Sequence, residues 1–403
     1  MADRSPQRRR LSVPGIGVPD PGQDFAAHPV ELFFDLAFVF AFAQLVGRLV
    51  DDPTAGGVAE AALLFVMLWL PWSQYTWSAN ATSGRSRQVQ IVFLVATAVS
   101  VPMAASVSTA FGAGGPAFGV SLAAIYALGL VLLVLGYDDD SAEFSSAVRY
   151  SVPNVITTAL VIAGGLVDTP ARTILWVIGL LVFLLATIQA GSGQWVVRPG
   201  HFAERHALII IVALGEVIVA IATPVLTGLE EGAGLSGETL ASLSAAGVFA
   251  GVLWYGYFDR PQPGFERQAA TLSGIARGRY ARDVYTYIHA PITAGVVLAA
   301  AALEEITLHP GEGLPAEFRW MLWIGLGLFL GGIDLAVYRA FRKLAVERYV
   351  AALVIGAALL PTLAVSGLTL LITVDAVLLA MLIVEHIRLE QRNLEETVDP
   401  VPE

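Results

Sequence analysis

The feature that most constrains this chain is a succession of apolar stretches, each near bilayer length, running from residue 29 to residue 387. A helix covers the ~30 Å of hydrocarbon with about 20 apolar residues. Twelve stretches qualify: 29–49, 59–79, 89–110, 116–136, 149–167, 172–190, 202–223, 239–258, 282–302, 319–340, 347–365 and 367–387. Only 14% of the 403 residues are charged and 56% are hydrophobic, whereas soluble domains are about a quarter charged. So few polar side chains cannot clothe a surface facing water, and lipid must serve as solvent for much of the chain. The expected fold is all-α: a polytopic membrane helix bundle of about 12 transmembrane helices.

Basic residues give the expected orientation. With the N-terminus on side one, the alternation of spans puts 20 of the 23 Lys and Arg residues on that side, leaving Arg48, Arg172 and Arg319 on the other. Cytoplasmic loops carry the Lys/Arg excess. Both termini are therefore expected in the cytoplasm, with the chain multi-pass in the inner (plasma) membrane. Missing a span would scramble the split downstream, so the asymmetry also supports the count. Residues 1–27 read as a flexible basic tail, with Arg8, Arg9 and Arg10 before the Pro/Gly-rich Val13–Gly22. No apolar segment follows those arginines directly, so they do not open a cleavable signal peptide. Residues 389–403 read as an acidic tail.

An internal repeat is expected. His28-Pro29-Val30-Glu31 opens the first span and His201-Phe202-Ala203-Glu204 opens the seventh. Trp72, Tyr75, Trp77 and Asn80 close the second, as Trp254, Tyr255, Tyr257 and Asp259 close the eighth; Arg149-Tyr150 and Arg348-Tyr349 open the fifth and eleventh. Three correspondences in order imply two six-helix halves, 28–198 and 199–388. An even repeat keeps its orientation, as in parallel-repeat transporters. Aromatic belts and interfacial arginines recur in any multispanning protein, which is the plainer account of the same pattern.

The segment from His28 to Phe40, HPVELFFDLAFVF, closely resembles the opening of the bacterial low temperature requirement protein A (LtrA) family. The resemblance continues through Trp72, Tyr75, Trp77 and Asn80, then His201-Phe202-Ala203-Glu204-Arg205-His206 with Leu214-Gly215-Glu216, and returns at Tyr285-Thr286-Tyr287-Ile288-His289 with Gly295. It implies a multispanning membrane protein. It implies no catalytic or binding residues, because the family carries no established biochemical activity.

Ionisable groups inside a span cost about 2.5–3.5 kcal/mol each at the centre and persist where they face the bundle interior or water. His28, Glu31 and Asp35 are spaced to share one face of the first span. At 1.5 Å per residue Asp35 lies about 9 Å inside the boundary. His201 and Glu204 repeat the upper part of that face, with Leu208 where the third member would be. Glu216 is expected roughly 20 Å in, beside Gly215, which would admit a close backbone. His289 and Asp334 fall in the cytoplasmic third, and Asp375 near the middle of the last span. The candidate substrate- or ion-binding residues are thus Glu31, Asp35, Glu204, Glu216, His289 and Asp334. Two readings compete: a polar vestibule that binds a cation or shuttles protons, and helix-pinning ion pairs with Arg149, Arg205, Arg282 and Arg339. The aromatic clusters Trp69/Trp72/Tyr75/Trp77 and Trp254/Tyr255/Tyr257 read as interfacial belts.

Several classes are excluded. The chain has no cysteine, hence no disulfide, thiolate metal site or cysteine nucleophile. Its net charge of −11 argues against a nucleic-acid partner. It has no phosphate loop, no H-E-x-x-H, no G-x-S-x-G and no potassium-filter sequence. His201 and His206 are five apart, a poor fit to one helical face, so no metal site and no cofactor are expected. The expected partners are the lipid bilayer and a small-molecule or ion substrate. The leading expectation is a secondary transporter or permease, with proton coupling through Asp35, Glu216 or His289 as an option within it. The alternatives are a membrane-embedded enzyme using the same carboxylates on a lipid-soluble substrate, and a scaffold or sensor, which the short inner loops disfavour.

Overall fold

A computed structural model describes residues 24–398, except 83, 85, 138–140, 192, 231–233 and 361–364, and no side chains from 392 onward. The basic tail, Arg85, Pro361 and the side chain of Arg392 lie outside the described residues. The described residues form helices: α1 Pro29–Asp51, α2 Ala55–Ala81, α3 Arg87–Ala105, α4 Gly115–Leu135, α5 Ala142–Leu166, α6 Ala171–Ala190, α7 Pro199–Glu230, α8 Gly237–Phe258, α9 Pro261–Thr271, α10 Gly274–Ala281, α11 His289–Leu308, α12 Ala316–Phe341, α13 Val346–Ala358 and α14 Gly367–Val398. A π-helical turn, Arg282–Ile288, joins α10 to α11. Among the described residues the extended backbone amounts to one bridge, Gly313 to Ser366.

The helix ends follow local chemistry. Pro29, Pro199 and Pro261 stand at first helical positions, where a missing N–H costs nothing. Ser141 and Ser236 accept the Phe144 and Thr239 amides that open α5 and α8. Arg342, at φ 57°, takes the left-handed conformation that closes α12.

Among the described residues, ten stretches are long and apolar enough to cross a membrane: α1 to α4, α6, α7, α8 with α9, α10 through α11, α12 and α14. The other two expected spans fall on α5 and α13. At 25 residues α5 has the length, but Arg149, Ser151 and Asn154 dilute its apolar character. Helix α13, with 13 residues, is only about 20 Å long. Outward faces are apolar; along α6, Ile174, Ile178, Leu181, Leu185 and Ile188 are all exposed. That inversion fits a lipid surround and would be a liability in water. The protein is a multispanning, all-helical membrane protein.

Two compact units result. The first comprises residues 24–45, 59–212 and 266–287, and the second 46–58, 213–265 and 288–398. In the first, α4 and α5 meet at glycines: a Cβ on Gly119 would lie 2.8 Å from the Val161 carbonyl and 2.9 Å from the Gly165 Cα. Arg172, one of the three arginines set apart by the expected charge asymmetry, serves here as a carbonyl clamp. Its guanidinium donates to the Ala110, Gly112, Gly164 and Val167 carbonyls at 2.7–3.2 Å, satisfying backbone acceptors where helices end. Along α2, Thr76, Ser78 and Thr82 donate to carbonyls four residues back, so these buried hydroxyls need no other partner.

In the second unit α11 crosses α12 where Gly295 faces Gly325. Arg348 grips the Glu385 carboxylate with two bonds of 3.2 and 3.1 Å and donates to the Gly256 carbonyl at 3.0 Å. Arg319 repeats the clamp, donating to the Leu314 and Leu360 carbonyls.

A candidate charge cluster in the first unit

Helices α1, α2 and α7 bring a buried ionic group together. Glu31 and Asp35, one turn apart on α1, both turn inward with 0% and 2% exposure. From α7 come His201 and Arg205, each fully buried. His201 Nε2 lies 2.8 Å from Glu31 Oε2. Arg205 Nη2 donates to Asp35 Oδ1 at 2.9 Å, and its Nε is 3.8 Å from Glu31 Oε2. From α2, Trp72 Nε1 donates to the same Asp35 oxygen at 2.8 Å, and its ring lies beneath the Arg205 guanidinium at 5.7 Å. Asp35 Oδ2 and Arg205 Nη1 are buried with no hydrogen-bond partner among the described residues.

Asn80 sets the tautomer of His201. Its Oδ1 accepts the Arg198 backbone N–H at 2.8 Å and its Nδ2 donates to the Thr76 carbonyl at 3.2 Å, which together fix the amide's direction. The same Nδ2 is 2.7 Å from His201 Nδ1. That nitrogen must therefore accept, and the ring carries its hydrogen on Nε2, pointing at Glu31. With both carboxylates ionised, the cluster holds two negative charges against one positive. Asn80→Asp offers His201 Nδ1 an acceptor in place of a donor. Imidazole ¹⁵N spectra are expected to show the Nε2–H tautomer in the wild-type protein and a doubly protonated ring in the variant; an unchanged His201 signal would contradict this assignment.

The cluster is walled by residues far away in sequence. Asp24 accepts the Gly200 N–H at 2.8 Å and the His201 N–H at 3.4 Å, capping the start of α7. Phe25 packs edge-on to His201 at 5.3 Å and beneath Arg198 at 4.8 Å. Arg198 lies just outside the spans; burial lowers its guanidinium from the ordinary value, and Tyr137 and Asp24 oppose that. His206 Nδ1 donates to the Phe202 carbonyl at 2.8 Å, and its ring packs at 5.1 Å against Trp72 and 4.9 Å against Tyr285.

The remaining candidates have other surroundings. Glu204 is half-buried and accepts the Ala27 N–H at 2.6 Å. Glu216, His289 and Asp334 belong to the second unit. Glu216 is 2% exposed and its Oε2 has no partner among the described residues. Gly215 beside it adjoins open space: a Cβ there meets nothing within 4 Å, so the expected close backbone is absent. His289 Nε2 pairs with the Tyr257 hydroxyl at 2.8 Å. Asp334 accepts the Ala345 N–H at 2.6 Å and so holds the corner between α12 and α13. No group of three His, Cys, Asp or Glu able to hold a metal occurs among the described residues. Trp69, Trp72, Tyr75 and Tyr257 depart from the belt reading, with 2%, 0%, 0% and 0% exposure, while Trp254 and Tyr255 are exposed as a belt requires.

The family model described as bacterial low temperature requirement A protein (LtrA) matches residues 26–383. The chain belongs to the LtrA family. A relative, the uncharacterized protein RA0937 of Rhizobium meliloti (strain 1021), is 30% identical over 314 residues, covering 75% of each chain. No solved structure matches. The LtrA match spans all of the cluster's residues, Glu31, Asp35, Trp72, Asn80, His201 and Arg205. Asn80 and Trp72 had drawn notice only as part of an aromatic pattern. The signal that could have singled them out is polarity: an amide and an indole N–H in an apolar span both need partners.

Proposed function

We propose that the protein is a secondary permease whose Glu31–Asp35–His201–Arg205 cluster binds a proton or small cation during transport. The carrying observation is a group of two carboxylates and one guanidinium enclosed at 0–2% exposure, beside a histidine whose Nδ1 faces the Asn80 amide. An uncompensated buried charge is costly and draws in a positive one. A group serving only to pin helices would balance its charges. Asp35 Oδ2, unpartnered among the described residues, is the proposed seat.

The proposal includes twelve crossings, both termini in the cytoplasm and the inner membrane as location, on the Lys/Arg asymmetry. It also includes two parallel six-helix repeats. A reciprocal exchange at the start of α1 and α7 supports them. Glu31 of the first H-x-x-E pattern bonds His201 of the second, while Glu204 of the second bonds Ala27, beside His28 of the first. Glu216, His289 and Asp334 are proposed in lesser roles. Glu216 offers a further buried carboxylate for a cation, and the latter two hold helices.

The test is purified protein in liposomes containing a pH-sensitive dye, under imposed proton and salt gradients. Flux is expected from the wild-type protein and background from Asp35→Asn. Undiminished flux in a folded Asp35→Asn protein, or none from wild type under any gradient, would sink the coupling role.

A further inference from the structure

A narrow cleft lies within the first unit. We infer that it binds a small, uncharged aromatic molecule carrying one hydrogen-bond donor, which Gln74 Oε1 accepts.

Three observations carry this. The first is the wall. Trp77, Trp195, Tyr150 and Phe183 line the cleft and brace one another edge to face. The ring centroids lie 5.5 Å apart for Trp77 and Trp195, 6.2 Å for Tyr150 and Trp195, and 5.8 Å for Tyr150 and Phe183. Such a box presents rigid ring faces and edges to a flat guest.

The second is Gln74. Its side chain lines the cleft and is 2% exposed. Nε2 donates to the Tyr126 carbonyl at 3.2 Å, which settles the amide's direction. Oε1 is then a buried acceptor with no partner among the described residues. Leaving such an acceptor unmet is costly, so a guest that donates to it is strongly favoured over one that does not.

The third is charge. Arg282 also lines the cleft, but Asp283 holds its Nε and Nη2 at 2.9 and 2.6 Å. The pair is neutral, so the cleft selects neither an anion nor a cation. Thr286, four residues on in the π turn, gathers the floor. Its hydroxyl meets Trp77 Nε1 at 2.9 Å and Ser73 Oγ at 3.2 Å, and its carbonyl accepts Trp69 Nε1 at 2.8 Å. Trp69 in turn packs at 4.9 Å on Trp72, the indole that donates to Asp35. The floor of the cleft is thereby linked to the cluster through Trp69 and Trp72, a link that matters for transport only if the permease reading holds. The binding itself does not depend on it.

The experiment is equilibrium dialysis on the protein in nanodiscs against empty nanodiscs, with naphthol, its methyl ether, naphthoate and naphthylmethylammonium as probes. Naphthol is expected to bind about tenfold more tightly than the ether. Gln74→Leu should erase that preference. Leu133→Trp, which fills the cleft and leaves Gln74 in place, should remove both. Equal binding of naphthol and ether to the wild-type protein, no saturable binding, or tighter binding of either charged probe would overturn the inference.

Discussion

Replacing Arg205 with leucine is expected to destabilise the protein by about 3–5 kcal/mol, the usual cost of removing one partner from a buried ion pair. The guanidinium is the cation that meets both Asp35 and Glu31. Without it two carboxylates share a site at 0–2% exposure, facing a histidine that Asn80 holds as the neutral ring. Adding Asp35→Asn and Glu31→Gln to Arg205→Leu removes the stranded charges and should restore most of the loss, because a charge-free set of similar volume is often as stable as the ion pairs it replaces. Detergent-induced unfolding followed by circular dichroism measures both. A single variant as stable as wild type would mean that the guanidinium does not neutralise this cluster.

The second large effect is at the crossing of α11 and α12. A Cβ on Gly295 would sit 2.4 Å from the Gly325 carbonyl oxygen and 2.9 Å from the Phe329 amide; on Gly325 it would sit 2.6 Å from the Gly295 oxygen. All these obstacles are backbone, so no rotamer relieves them. Small residues let membrane helices approach this closely. Gly295→Val is expected to cost about 3 kcal/mol, the upper end for overpacking. Gly215→Ala should be nearly neutral, since nothing lies within 4 Å of its Cβ position. The same unfolding assay compares them, and equal stability of the two variants would count against the crossing.

How much of this was legible beforehand depends on the kind of signal. The positions of the long apolar helices follow from hydropathy, because lipid leaves a backbone few options; their number does not, since α5 and α13 are less apolar or shorter than that logic asks and α9 and α10 fall between the expected stretches. That Glu31 and Asp35 share a face follows from the helical period. Their partners do not, since periodicity says nothing of which helices are neighbours. Arg205 was among the possible pairing cations, but nothing in the pattern chose it over Arg149, Arg282 or Arg339. Arg172 and Arg319 read as exceptions to the charge asymmetry; they are clamps on backbone carbonyls. Trp69 and Trp72 misled because an aromatic near a span's end is usually interfacial. Here the indole N–H groups found buried acceptors in Thr286 and Asp35. The π turn had no sequence signature.

The pairing of Glu31 with His201 joins residues 170 positions apart. Chains grow at about 5–20 residues per second, so α1 is made roughly ten to thirty seconds before its partner helix exists. For that interval the two acids stand without their eventual partners and either stay in water or take up protons. Biogenesis of this protein therefore includes a waiting step. Slowed synthesis between α1 and α7 would lengthen it, and an insertion chaperone or lateral retention at the translocon would shorten its exposure.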